Sequence, residues 1–378
     1  MFTRVVLNTV VLSFFPWVLL AVKAQNLPVD SKASKETVNL YRNLKETIRK
    51  GVLFGHQDDL AYGVNWSYEK GRSDVKESCG DYPAVYGWEL GRLEIDQPAN
   101  LDGVPFEKMK TFIREAYDRG AVITISWHLN NPLTGKSAWD PAPGTVASIL
   151  PGGTKNSLYT SWLDKVASFL NDLHGRKGEM IPVIFRPFHE LNGSWFWWGK
   201  DHCSPEEIKS LYQFTVKYLR DVKDCHHLLY AFNTDRFQQE NDYLERYPGD
   251  EWVDVIGFDI YQRNANHKQF IAEIGSMVKT ISAIAADRKK IPAITEFGYN
   301  ELPESNWWTD VFWEGIRSAP IAFVLAWRNA GKKQDGTTEF YVPFASQISQ
   351  ENFQRFYELP GTLFNKDANK LKLYKNKN

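Results

Sequence analysis

Eight short apolar runs, mostly separated by helical patterns, constrain this sequence more than any other feature. Each run ends in a side chain that is poorly suited to a protein core. These terminal residues are His56, Glu89, His128, Glu190, Asn233, Asp259, Glu296 and Trp327. Eight strand–helix units of this kind close into a parallel barrel whose strand ends meet at one mouth. The sequence therefore predicts an α/β fold, a (β/α)8 TIM barrel with elaborated loops at the carboxyl ends of the strands.

The apolar runs and the helical patterns between them predict the element boundaries. The predicted strands are Val52–Gln57, Ala84–Glu89, Ala121–His128, Ile181–Phe185, Leu228–Asn233, Val253–Asp259, Pro292–Glu296 and Ile321–Trp327. The predicted helices are Lys35–Lys50, Phe106–Arg119, Leu158–His174, Ser204–Val222, His267–Ala286 and Trp308–Ser318. An open doubly wound sheet is the alternative fold. Such a sheet favours a glycine-rich first turn of the GxGxxG or Walker type, and the sequence has neither.

The fourth run is followed at once by polar side chains and then by an unusual group of aromatic residues. After Glu190 and a turn at Asn192-Gly193, three tryptophans fall within four residues: Trp195, Trp197 and Trp198. A carboxylate beside several indoles is typical of a sugar-binding site, because flat aromatic faces stack on sugar rings. The alternative is that Trp197 and Trp198 fill a gap between elements and that Glu190 has a capping role. The loop 129–156, long and rich in Pro, Gly, Asn and Thr, is predicted to form a rim of the binding cleft.

Two of the strand-end residues are glutamates on opposite sides of the predicted barrel. Glu190 ends strand four and Glu296 ends strand seven, so both open onto the same mouth. Glycoside hydrolysis with retention of configuration requires two carboxyl groups about 5–5.5 Å apart, one as nucleophile and one as acid and then base. Either glutamate alone is an ordinary ion-pair partner. Together, amid tryptophan and tyrosine, they indicate a catalytic pair.

Four segments give the chain a family resemblance: FRPFHELNGSWFWWG, ITEFG, ISWHLNNP and VLAWRN. On these motifs, over about 53–329, the sequence resembles glycoside hydrolase family 26, whose characterised members are mostly endo-β-1,4-mannanases of the 4/7 barrel clan. The resemblance implies that Glu190 is the acid/base and Glu296 the nucleophile. It further implies substrate contacts at His128, His189, Trp195 and Tyr261, with the glycone side lined by Trp327 and Arg328.

The residue types allow these roles and also simpler ones. Tyr261 follows the sixth run and is placed to hydrogen-bond the nucleophile, although a core phenol is the alternative. His128 and His189 are alternatively core histidines. Arg186 is predicted to brace Glu190 or Glu296 rather than to bind substrate. Glu190 has to be protonated when it meets the leaving oxygen, so an apolar wall such as Trp195 is expected to raise its pKa.

The leading hypothesis is a retaining endo-β-1,4-mannanase that acts on a β-mannan polysaccharide or on manno-oligosaccharides without a cofactor. A β-glucanase or xylanase of the same family is the first alternative, and an exo-acting enzyme that releases mannobiose is the second. A non-catalytic glycan-binding protein would also use the aromatic surfaces. It has no need of Glu190 and Glu296 together, and their joint presence disfavours it.

Composition excludes some other partners. Lys and Arg total 45 against 46 Asp and Glu, so no excess of positive charge is present for binding nucleic acid. No group of Cys and His has zinc-site spacing, and the sequence predicts no metal. Cys79, Cys203 and Cys225 are an odd set. Cys203 and Cys225 flank a helix roughly 30 Å long at 1.5 Å per residue, too long for one disulfide.

The amino-terminal residues 1–24 predict an export signal. Arg4 precedes an apolar run, and Val22-Lys23-Ala24 has the form of a small-residue cleavage site before Gln25. A membrane-spanning helix is the alternative, disfavoured by Asn8, Ser13 and Pro16 within the run. We therefore expect a secreted or periplasmic protein, free of the membrane after cleavage, with residues 25–378 forming one catalytic barrel domain.

Overall fold

The computed structural model describes residues 27–333 and 335–377, and it confirms the predicted (β/α)8 barrel. Eight parallel strands follow one another around the barrel in chain order, and the first pairs with the eighth to close it. The strands are β1 Val52–Gln57, β2 Val85–Glu89, β3 Val122–Trp127, β4 Val183–Pro187, β5 Leu228–Thr234, β6 Val255–Gln262, β7 Ile291–Tyr299 and β8 Phe323–Ala326.

Helices surround the barrel, and several short ones lie in the loops. They are α1 Lys35–Thr47, α2 Asp74–Cys79, α3 Phe106–Asp118, α4 Thr145–Ile149, α5 Asn156–Asn171, α6 Pro205–Lys217, α7 Glu240–Leu244, α8 His267–Arg288, α9 Glu314–Ile316, α10 Gln350–Tyr357 and α11 Asn365–Leu371. In the part of the chain that the structure describes, no helix is both long and apolar enough to cross a membrane.

Two hydrophobic clusters hold the barrel together, because alternate residues of each strand face opposite sides. Leu53 belongs to the inner cluster, with Val85 and Leu325 of neighbouring strands and Leu44 of α1, which covers the amino-terminal end of the barrel. Phe54, the next residue, belongs to the larger cluster between the strands and the outer helices. The apolar interior thus fills one end of the barrel and leaves the carboxyl ends of the strands for polar side chains.

Two short hairpins elaborate the mouth of the barrel. The first pairs Tyr62–Gly63 with Trp66–Ser67 after β1, and the second pairs Gly331–Lys332 with Thr338–Glu339 after β8. Asn329 links the two regions, since its amide donates to Asp74 Oδ2 (2.8 Å) and to the carbonyl of Val342 (2.9 Å).

The element boundaries differ from the predictions in a few places. The predicted helix Ser204–Val222 is α-helical only to Lys217 and ends in a π-helical turn over Tyr218–Val222. Similarly, the segment Trp308–Trp313 is π-helical before the short α9. β7 continues past its apolar run to Tyr299, because β6 extends alongside it and pairs Gln262 with Tyr299.

The sequence also led to predictions for the amino terminus and for the three cysteines. The predicted export signal, residues 1–24, lies outside the described residues. Cys79, Cys203 and Cys225 are all buried free thiols.

Candidate active site

The carboxylate of Glu296 lies at the mouth of the barrel between two donors from neighbouring strands. Arg186, on β4, bonds Glu296 Oε1 through its guanidinium and also donates to Asp259 Oδ2 at 3.0 Å. Tyr261, on β6, donates its hydroxyl to Glu296 Oε2 at 2.8 Å. Burial and the adjacent Glu296 charge hold the pKa of Tyr261 well above its usual value, so the phenol remains a donor. Both carboxylate oxygens of Glu296 are therefore held in place.

Glu190 lies in a different environment. Burial raises the pKa of Glu190 well above its usual range, and the charges of Asp259 and Glu296 raise it further. The indole of Trp195 donates to Glu190 Oε2 at 2.6 Å. The backbone of Glu190 has φ +52°, and that of Phe188 has φ +53°, a conformation that non-glycine residues seldom adopt. A carboxyl in this environment holds its proton more tightly than an exposed one does.

Glu190, Glu296 and Asp259 place one carboxylate oxygen each within 4.8 Å of one another. This is the one group of three potential metal ligands among residues 27–333 and 335–377. The buried guanidinium of Arg186 already bonds two of the three carboxylates, so a protein cation compensates their charge. Burial and the Glu296 charge raise the pKa of Asp259 well above normal, while its second oxygen accepts from Thr295 Oγ1 at 2.7 Å. The predicted bracing role of Arg186 fits this geometry.

A chain of buried hydrogen bonds runs from Glu89 through two histidines. Glu89 Oε2 contacts His128 Nδ1 at 2.8 Å, and His128 Nε2 contacts His189 Nε2 at 2.9 Å. Burial alone would lower the pKa of His128, but the Glu89 carboxylate outweighs burial and raises it. Burial and the neighbouring His128 hold the pKa of His189 well below its usual value. Glu89 thus orients His128. His189 is a neutral ring that lies between His128 and the side of the site that carries Glu190.

Most of the predicted site residues line one cleft of about 730 Å³. His128, His189, Glu190, Trp195, Tyr261, Glu296 and Trp327 are all in its wall. Arg328 is not. It lies in a neighbouring pocket of about 620 Å³, where it pairs with Asp102 (2.6 Å) and Glu339 (3.0 Å).

The three clustered tryptophans have different environments. Trp195 is 37% exposed and faces the cleft, whereas Trp197 and Trp198 are fully buried. Their indole nitrogens donate to the carbonyls of Leu129 (3.1 Å) and His189 (2.9 Å). The gap-filling interpretation therefore describes Trp197 and Trp198, which support the site from below, and Trp195 is the only one of the three in the cleft wall.

Four aromatic residues of the cleft wall were not predicted: Trp139, Phe196, Tyr299 and Tyr341. Trp139, in the loop 129–156, is 49% exposed and stacks on His128 with ring centres 5.1 Å apart. Its loop was flagged by length, but nothing in the sequence singled out this tryptophan. Tyr341 follows the second hairpin, and its ring lies 5.6 Å from that of Tyr261. Its position depends on the path of the loop after β8, which no local pattern encodes.

Comparison with known proteins places this chain among glycoside hydrolases. The sequence matches the family model described as glycosyl hydrolase family 26 over residues 29–314. It is 35% identical over 356 residues to a mannan endo-1,4-beta-mannosidase of Bifidobacterium adolescentis, a match that covers 86% of this chain and 34% of that protein. It is 27% identical over 248 residues to the Bacillus subtilis (strain 168) enzyme of the same name, covering 63% of this chain and 66% of the relative. This chain thus spans about a third and just under two thirds of the lengths of these curated relatives.

The fold comparison agrees with the sequence match. A solved family 26 β-mannanase from Bacteroides ovatus superposes with a TM-score of 0.87 at 42% identity, covering 91% of this chain and 98% of the other. The region that matches the family model, residues 29–314, contains β1 to β7 and both glutamates, Glu190 and Glu296. On this evidence the chain belongs to glycosyl hydrolase family 26.

Proposed function

We propose that this protein is a retaining mannan endo-1,4-β-mannosidase that cleaves β-1,4-mannosidic bonds by double displacement. The observation that carries the proposal is the approach of Glu190 and Glu296, whose carboxylate oxygens lie within 4.8 Å. Inverting enzymes keep their carboxyl groups about 6.5–9.5 Å apart to admit a water, and retaining ones keep them about 5–5.5 Å apart. The named relatives support β-mannan or manno-oligosaccharide as the substrate.

Glu296 is the proposed nucleophile. The Arg186 guanidinium and the Tyr261 hydroxyl each bond one of its two oxygens. They hold the side chain in one orientation for attack on the anomeric carbon. The ionised carboxylate then displaces the leaving sugar and forms a covalent glycosyl-enzyme.

Glu190 is the proposed acid and base. Its raised pKa keeps a proton available for the leaving oxygen in the first step. Once Glu296 has become an ester, its negative charge is gone, so the pKa of Glu190 falls. Glu190 then accepts a proton from the water that hydrolyses the intermediate. The same carboxyl thus serves both steps because its partner's charge changes between them.

The remaining predicted residues are proposed to bind the sugar. His128, His189 and Trp195 line the cleft beside Glu190, and Trp327 lines it with Tyr341. Arg328, in the adjacent pocket, is proposed to bind a sugar further along the glycone side. We also propose that residues 25–378 act as one catalytic domain and that the protein is exported.

The function is tested by replacing each glutamate and comparing two substrates. Glu296→Ala should abolish cleavage of mannan and of a dinitrophenyl mannoside, because no glycosyl-enzyme forms. Glu190→Ala should cripple mannan cleavage but largely spare the first step on the aryl substrate, whose leaving group departs without a proton. Added azide should then rescue Glu190→Ala and yield a β-glycosyl azide.

Two outcomes would contradict the proposal. Rescue of Glu296→Ala by azide with retained configuration would reverse the assignment, and release of the α-anomer from mannotetraose would exclude retention. Barley β-glucan and xylan serve as competing substrates, since faster cleavage of either would favour the alternative activities. A rapid fall in mannan viscosity supports endo action, whereas steady release of mannobiose alone supports exo action.

Activity on mannan should not require a metal, because Arg186 already compensates two carboxylates of the cluster. Dialysis against EDTA is expected to leave kcat/KM unchanged. Loss of activity that Ca²⁺, Mg²⁺ or Zn²⁺ restores would show that the Glu190, Asp259 and Glu296 group binds an ion.

A further inference from the structure

We propose that Gly193 is a positioning residue for the acid, because its missing side chain seats the Trp195 indole where the indole N–H holds the Glu190 carboxyl. This inference rests on the proposed role of Glu190. It assigns a function to a glycine that contacts neither the reacting atoms nor the other carboxylate.

The turn that carries Glu190 brings the three residues together. The backbone N–H of Gly193 donates to the carbonyl of Glu190 at 2.8 Å, which closes the turn. The benzo ring of Trp195 lies directly on Gly193. A β-carbon at Gly193 would stand 2.3 Å from Cη2 of Trp195 and 2.5 Å from both Cζ2 and Cζ3. Real β-carbons do not approach other atoms below 3.0 Å, so any other residue at 193 displaces the indole or the turn.

The glycine is required for this contact and not for its backbone conformation. Gly193 has no left-handed φ, in contrast to Gly135 and Gly144 in the long loop, whose φ values are +75° and +78°. An alanine therefore suits the backbone at 193, and its cost comes from the Trp195 ring alone. The ring would have to retreat by about 1 Å to reach an ordinary contact distance of 3.4 Å.

A movement of this size is enough to break the bond to the acid. Trp195 Nε1 lies 2.6 Å from Glu190 Oε2, and a donor at about 3.6 Å no longer makes a hydrogen bond. Within the described ranges, this indole is the only hydrogen-bond donor recorded for the Glu190 carboxyl. The ring of Phe196 meets that of Trp195 edge-on, with the ring centres 6.2 Å apart. Trp195 is nevertheless 37% exposed, so its indole has room to move towards the cleft.

The bond determines which oxygen of Glu190 delivers the proton. Because Oε2 accepts from the indole, the carboxylic proton belongs on Oε1, which is then free to donate to the leaving oxygen. The same N–H stabilises the carboxylate after the proton has left. Without the bond, the carboxyl rotates and the proton is shared between both oxygens. The loss of activity should therefore appear only with substrates whose cleavage is limited by proton donation from Glu190.

The test is Gly193→Ala, assayed on mannan and on a dinitrophenyl mannoside. We expect kcat/KM on mannan to fall at least tenfold, and the first step on the aryl substrate to stay within about twofold of wild type. Trp195→Phe keeps a ring and removes the N–H, so it should show the same selectivity. Gly275→Ala in α8 is the matched control, since its β-carbon meets only ordinary contacts at 3.4 Å and 3.7 Å. It should retain wild-type kinetics.

A double-mutant cycle separates the indole from any general effect on folding. In a Trp195→Ala background, Gly193→Ala should cost less than twofold, because the ring that it displaces is absent. Equal loss on both substrates, or an undiminished loss in that background, would overturn the proposal.

The crystal structure of Gly193→Ala decides the matter independently of the substrate. The Trp195 nitrogen should lie beyond 3.5 Å from Glu190. An indole still within hydrogen-bond distance of Glu190 overturns the inference, even if the enzyme proves to act on another glycan. Conversely, a wild type that does not cleave mannan would contradict the proposed function without affecting this structural result. If Gly193→Ala does not fold, Trp195→Phe alone carries the kinetic test: equal loss on both substrates would overturn the role of the indole.

Discussion

One arginine shows how much chemistry at this site depends on a single side chain. Arg186 is only 1% exposed, yet it meets two carboxylates, Asp259 and Glu296, and lies near a third, Glu190. Burying an unpaired charge costs several kcal/mol, so the guanidinium and the carboxylates stabilise one another. Among the described residues, Glu190 is the carboxyl of these three that forms no ion pair, and Glu190 is the one that has to carry a proton.

At the same scale, Trp195 is predicted to contribute to substrate binding as well as to the orientation of Glu190. Trp195→Ala should lower kcat/KM on mannan by more than tenfold, about 1.4 kcal/mol or above. Leu158→Ala is a suitable control, because Leu158 has the same exposed fraction, 37%, on the surface of α5. Trp195→Ala with wild-type kinetics and an unchanged melting temperature would exclude both roles.

His227 provides a prediction for stability at low pH. Burial lowers the pKa of His227 to about 4, and its Nε2 lies 3.1 Å from the carbonyl of Leu170. In the unfolded chain a histidine titrates near 6.5. Between pH 6.5 and 4 the unfolded state binds a proton that the folded state does not, so stability falls as the pH falls and this contribution levels off below 4. The loss amounts to about 3 kcal/mol.

Urea unfolding of His227→Gln at pH 7, 5.5 and 4 tests this contribution. The variant should lose less stability than the wild type between pH 7 and pH 4, by up to that amount. Parallel curves for the two proteins would show that His227 does not titrate with the stated pKa.

Among the secondary-structure elements, the loops at the strand ends carry the functional side chains, and the helices fix where those loops begin and end. α6 begins immediately after the loop that contains Trp195 and Trp198, and it starts with a complete capping box. Ser204 Oγ accepts from the backbone N–H of Glu207 at 3.2 Å, and Glu207 Oε2 accepts from that of Ser204 at 2.8 Å. This reciprocal pair fixes where the loop ends.

Ser204→Ala should reduce the free energy of unfolding by about 1 kcal/mol, because one N-terminal N–H of α6 loses its acceptor. Ser210→Ala in the same helix is the matched control. Ser210 is exposed and donates to the carbonyl of Glu206 at 2.7 Å, an interaction that contributes little. Urea denaturation of both variants measures the difference. Equal stabilities would mean that the loop and not the cap sets the start of α6.

For the molecule as a whole, the main prediction is export, which depends on residues 1–24. When the full chain is expressed in a bacterium, we expect cleavage after Ala24, so that the released protein begins at Gln25. Intact mass and amino-terminal sequencing of the periplasmic or secreted fraction measure this. A protein that retains Met1 and fractionates with membranes would favour the membrane-anchored alternative.

Much of the architecture was predictable because a buried parallel strand has a local signature. Val122–Trp127 is rich in apolar and β-branched residues and lies between Gly120 and His128, so its position could be read from the sequence. Boundaries set by a partner were less predictable. β7 extends to Tyr299 because β6 continues beside it, and the π-helical turn over Tyr218–Val222 has no distinctive composition.

The apolar runs alone place Glu190 and Glu296 at the ends of two strands of one barrel, because strand ends follow from the order and length of those runs. The residues that contact the two glutamates follow from the folded arrangement and not from any local pattern. Arg186 bonds Asp259 and Glu296 over separations of 73 and 110 residues, and Glu89 bonds His128 over 39. Such contacts depend on barrel closure, on the register between strands and on side-chain rotamers. These arise from packing over the whole fold and leave no pattern in any local stretch of the chain.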